Sequence, residues 1–190
     1  MWQEVSGKKK SNPGRIFLPI FTEVDIKDIL IKVFGRYRWE LCRTIQGNAW
    51  NNIKEKSLTS EYADYIQFYR KNRDLSEEVK EKLKIQIQKG KGNYREIFSI
   101  DYEIWVKGES AGGMRLNRVS REILATYCPF SKPIREKVKN MPLIAEAMTR
   151  FYRNKAKTLK ELDIRNRVIE KEGGQLTEEL MDNYIFYRDL

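Results

Sequence analysis

The sequence predicts a mostly α fold, a compact multi-helix domain of about eight or nine helices, and three observations predict it. From Asp25 onward, apolar residues recur at helical spacing through most of the chain. Ser, Thr, Asp or Asn stands before most of these runs, where an N-cap belongs. Glycine closes several of them, as at Gly47, Gly90 and Gly173-Gly174. Residues 1–20 read as a flexible basic arm and residues 21–190 as a single helical domain.

In order, Ser6 to Gly14 has linker chemistry around Lys8-Lys9-Lys10, and Arg15 to Phe21 is a short apolar segment interrupted by Pro19. Asp25 caps the first helix. Its stripe of Ile26, Ile29, Leu30, Val33 and Phe34 continues through Tyr37, Leu41 and Ile45 across Gly35. Ser57 opens a second helix and Ser76 a third, the latter with Glu77 and Glu78 in its first turn. Asn93 with Glu96 spells a capping box before Ile97, Ile100, Ile104 and Trp105. Between residues 82 and 106 a period of two also runs, so a β-hairpin turned at 89–93 is the minority reading beside two helices. Pro133 and Pro142 each start a helix, the second carrying Leu143, Ile144, Met148, Phe151 and Tyr152. Thr158 and Glu161 spell another capping box, hence a separate helix through Ile169, and a final helix begins at Thr177. Leu58–Arg70 and Leu176–Arg188 agree at 7 of 13 positions without gaps, which is as well explained by the few good spellings of a capped helix as by duplication.

Composition narrows the chemistry. The 190 residues contain no histidine, which removes imidazole acid–base catalysis, Ser-His-Asp and Cys-His nucleophiles, and His-ligated metals. Two cysteines cannot build a four-thiolate zinc site, and Cys42 and Cys128 on apolar stretches suit buried thiols in a reducing compartment. Asp101-Tyr102-Glu103 would share a face only on a strand, where the pair could hold Mg²⁺, and Mg²⁺–carboxylate chemistry is an enzymatic class that composition does not exclude. On a helix the two carboxylates diverge and read as solvent-exposed acids, the favoured reading. No catalytic residue, metal site or cofactor is expected. No apolar run reaches the roughly 18 residues that would span a bilayer, and the expected location is cytoplasmic.

The formal net charge of +10 is unevenly placed: residues 108–157 hold 11 Lys and Arg against 4 Asp and Glu. There Gly108-Glu-Ser-Ala-Gly-Gly113 opens onto a helix with Arg115, Arg118 and Arg121, followed by Lys132, Arg135 and Lys139. These six are the candidate anion- or nucleic-acid-binding residues. The glycine turn has phosphate-loop spacing but Met114-Arg115 where Lys-Ser/Thr is needed, so nucleotide hydrolysis is rejected. Free N–H groups at the turn would still welcome an anion, although an ordinary loop is the favoured reading.

Two functional classes follow. The first is a non-enzymatic helical scaffold that docks to protein partners, within a larger protein or assembly. The alternative is a nucleic-acid-binding helical domain using the basic 108–157 region, its partner a nucleic acid or other polyanion. A continuous positive groove would support the second. Pairing of the three arginines with the chain's own acids, such as Glu122 or Glu146, would favour the first.

Overall fold

The computed structural model describes the backbone of residues 2–3 and 15–16, and residues 20–190 in full. Eight helices are found among the described residues: α1 Ile26–Gln46, α2 Leu58–Phe68, α3 Glu77–Lys89, α4 Tyr94–Lys107, α5 Arg118–Tyr127, α6 Lys132–Val138, α7 Pro142–Lys171 and α8 Glu178–Asp189. Trp2–Gln3 pairs antiparallel with Arg15–Ile16. The lysine run Lys8–Lys10 of the expected basic arm lies outside the described residues.

The caps do what their chemistry allows. Asp25, Ser57, Ser76, Asn117 and Thr177 each accept a hydrogen bond from a main-chain N–H of the helix that follows. Residues 82–106 are helical on both sides of a tight turn at Gly90–Gly92, so the hairpin alternative is set aside. The Asn93–Glu96 box does not close: Asn93 caps Arg95, while Glu96 accepts from Arg36 of α1 at 2.6 Å.

Two expectations are corrected. Thr158 does not start a helix; it lies inside α7, which runs unbroken for 30 residues. No glycine or proline interrupts 143–171, and a good cap spelling cannot end a helix that has no reason to stop. The second concerns the stripe on α1. Val33 is buried, but Ile26, Phe34, Tyr37, Leu41 and Ile45 are exposed. The line facing the core runs instead through Gly35, Trp39 and Glu40. Gly35 sets this rotation. A Cβ there would meet the Tyr102 ring at 3.0 Å and the Ser99 Cα at 3.4 Å, so α1 and α4 approach closely only because the position is glycine.

The core is aromatic at one end and aliphatic at the other. Trp39, Tyr62 and Phe98 from α1, α2 and α4 pack with ring centroids 5.3–6.0 Å apart. Ile123, Leu124 and Ala125 of α5 meet Ile144, Ala147, Met148 and Phe151 of α7. Trp105 stacks on Phe130 at 3.9 Å and donates its indole N–H to the Cys128 carbonyl at 2.8 Å. Burial on α7 ends at Phe151; beyond it, α7 and α8 form a helical hairpin without a buried residue.

Candidate functional site

The glycine-rich turn does bind an anion, and that anion is the protein's own. Glu109 is fully buried in a single helical turn at Glu109–Ala111. Its Oε1 accepts from the main-chain N–H groups of Arg115 and Leu116, each at 2.8 Å. Its Oε2 accepts from Arg121 Nε at 2.7 Å, and Arg121 also donates to the Leu116 carbonyl at 2.6 Å. The donors that the sequence offers to a ligand are thus satisfied by the side chain of the residue that directly follows the motif's first glycine.

The six expected binding residues do not converge. Arg121, 4% exposed, is enclosed in the core with Glu109, which corrects its placement on an outward face. Arg118 is at the surface but donates to both Glu122 and Glu146 at 2.9 Å. Lys139 pairs with Glu136 at 2.8 Å. Arg135 is buried, donates to the main-chain oxygens of Phe130 and Leu190, and lies over the rings of Phe151 and Tyr152. Arg115 precedes α5 rather than riding on it, and only Arg115 and Lys132 of the six are exposed without an ion pair among the described residues. All four acids of the 108–157 region are therefore engaged with cations that the sequence singles out.

The remaining cations gather elsewhere. A cleft of about 990 Å³ opens between α7 and the ends of α2 and α5, lined by Arg38, Lys56, Arg150, Arg153 and Lys157 against two side-chain carboxylates, Glu61 and Glu161, with Leu190 also at its wall. Tyr102, Tyr127, Phe186 and Tyr187 complete its walls. Arg150, Arg153 and Lys157 lie at i, i+3 and i+7 and so share one face of α7. Reading a helix start at Thr158 leaves Lys157 outside any helix and hides that spacing. Glu61 ties the floor together, receiving Arg150 on one oxygen and lying 2.8 Å from the Tyr127 hydroxyl on the other. The same hydroxyl is 2.6 Å from the Lys56 carbonyl, and burial pushes its pKa up. Arg38 donates to the Tyr127 carbonyl. Among the described residues, no carboxylate pairs with Arg38, Lys56 or Arg153, and Lys157 has only Glu161 at 3.7 Å.

The other groups weighed for chemistry are structural in their geometry. Asp101 is buried, not solvent-exposed as expected. It accepts from the Tyr62 hydroxyl at 2.8 Å and from Gln86 at 3.2 Å. Burial pushes its carboxyl up to about 6, against the opposing pull of both hydrogen bonds. Glu103 points away to Lys32 and Lys107. Cys42 and Cys128 are unpaired; Cys128 is buried, which raises its thiol to about 11, whereas Cys42 is only half-buried.

With this geometry in view, comparison with known families is informative. The model of a domain of unknown function, DUF8509, matches residues 47–187. The chain belongs to the DUF8509 family. No curated protein and no solved structure matches it. The matched DUF8509 region begins at the glycine that ends α1 and contains the Glu109–Arg121 pair, the hairpin up to residue 187 and every cleft cation except Arg38. α1 stands outside it, yet supplies Trp39 to the core of the DUF8509 domain.

Proposed function

We propose that the protein is a non-enzymatic helical scaffold that docks through its α7–α8 hairpin, and that the partner is a second copy of the chain. One observation carries the reading. The hairpin beyond Phe151 has no buried residue, yet it presents Ile164, Val168 and Leu180 at 54%, 46% and 54% exposure. Two helices alone cannot cover each other's apolar positions, and a cluster of this kind marks a contact surface. Charge supplies the occupant. Residues 154–171 of α7 carry six cations and three carboxylates, whereas α8 carries four carboxylates and one arginine. Two hairpins related by a twofold axis can set each α8 against the partner's α7, matching opposite charge along both contacts. The internal pairing of Arg118 and Arg121 supports the scaffold reading over the six-residue anion site.

Sedimentation of the full chain over a range of concentrations tests this. A monomer–dimer equilibrium weakened by salt is expected. It should be abolished by Val168→Asp with Leu180→Lys, while far-ultraviolet circular dichroism stays unchanged. A chain that remains monomeric on the order of 100 µM at low salt, well above the dissociation constant of a weak specific complex, would reject the proposal.

A further inference from the structure

From the cleft at the root of the hairpin, we infer that the protein also binds single-stranded nucleic acid, with Arg153 and Lys157 on the phosphates and Phe186 beneath a base. This site is distinct from the six residues that stand out in the sequence, and it does not depend on self-association.

Three features of the cleft lead there. The first is uncompensated charge in one concavity: Arg38, Lys56 and Arg153 have no carboxylate partner among the described residues, and Lys157 has only a loose one at 3.7 Å. Cations such as Arg118, Lys139 and Arg36 are held by carboxylates at 2.6–2.9 Å, whereas these gather in one concavity without such partners. The second is spacing. Arg153 and Lys157 lie about 6 Å apart along the axis of α7, on the face they share with the anchored Arg150. They therefore offer two successive positive positions along a groove rather than one point. The third is the wall opposite. Phe186 is 70% exposed and lines the same cleft, an apolar ring beside a row of cations. A duplex hides its base faces, whereas a single strand offers each base to an aromatic side chain while its backbone follows the charge.

The backbone at Lys56 adds a separate indication. This non-glycine residue holds φ at 47°, in the left-handed region, with its carbonyl fixed by the Tyr127 hydroxyl at 2.6 Å. Glycine would adopt this conformation more readily; the lysine places a cation on the cleft wall at the expense of local strain.

The experiment is fluorescence anisotropy of the full chain with labelled oligo-dT and oligo-U of about 15 nucleotides, long enough to fill one groove, over a series of salt concentrations. Binding at low salt is expected. Arg153→Gln with Lys157→Gln should flatten the log–log salt slope by about 1.4, two contacts at about 0.7 each. Lys139→Gln, already paired with Glu136, should leave the slope unchanged. Phe186→Ala should weaken binding about fivefold or more by loss of stacking. Absence of binding at low salt overturns the inference. So does a slope unaltered in the double variant with helicity intact. If inorganic polyphosphate displaces the strand and Phe186→Ala has no effect, the cleft is a general polyanion site and the nucleic-acid assignment fails.

Discussion

Lys56 shows how one residue can serve stability and binding in opposite directions. A non-glycine residue in the left-handed region costs about 1–2 kcal/mol, part of which glycine would give back as unfolded-chain entropy. Lys56→Gly is therefore expected to raise unfolding stability by about 0.5–1 kcal/mol in urea titrations while weakening oligonucleotide binding. Asp101 makes a pH prediction. Its folded pKa of about 6 lies above the ordinary value of 3.8, so its contribution to stability is complete below about pH 4 and is lost as pH rises through 6. Asp101→Asn should be the more stable protein at pH 7, by up to about 3 kcal/mol, and the difference should vanish near pH 3. Thermal melts of the two proteins across that range measure it. The thiols should separate likewise, Cys42 reacting with a polar thiol reagent well before Cys128. The burial of Cys128 is legible in its apolar stretch; that of Asp101 is not. Asp101 and Glu103 are spelled as a pair of acids, and only the packing of Tyr62 and Gln86 around one of them tells them apart.

At the scale of the helix, caps and periodicity were sufficient to find most elements, because a cap is a local hydrogen bond and needs no tertiary partner. Rotation and continuity were not legible. The apolar stripe on α1 is real, but Gly35 turns a different line toward α4. Gly35→Val should make this plain: the added branch meets Tyr102 and the Ser99 backbone, and overpacking should cost about 1–3 kcal/mol despite the better helix former. Chemical denaturation reads the loss directly. The shared spelling of α2 and α8 teaches the same lesson. Thr59 and Thr177 align, yet Thr59 is fully buried inside α2, donating to the Trp50 carbonyl, whereas Thr177 caps α8 in solvent. Seven matching residues thus fold into one core helix and one surface helix.

For the whole molecule, the sequence reports how much charge there is but not which charges cancel. The excess in residues 108–157 is present, and its four acids pair with three of the six cations that stand out in sequence, Arg118, Arg121 and Lys139. The uncompensated cations of the cleft come from α1, the turn before α2, and α7, segments far apart in sequence that only the fold assembles. The hairpin was equally hidden, since a helix read as broken at Thr158 does not project from the core. Removing α8 should tell its two roles apart. The cleft loses Phe186 and Tyr187 but keeps its cations, so a chain ending at Gly174 should retain salt-dependent binding at reduced affinity and lose self-association.

The buried Glu109 has a further consequence, for dynamics. Arg115 and Leu116 lie in a loop, where amides ordinarily exchange with solvent hydrogen in the fastest class. Their N–H groups end on a carboxylate that is itself clamped by Arg121 from the first turns of α5. Neither amide can open unless that carboxylate is released, and releasing it strands an arginine in the core. These two loop positions should therefore exchange as slowly as the interior of α5, and the 109–121 segment should open as one cooperative unit rather than fraying from its glycines.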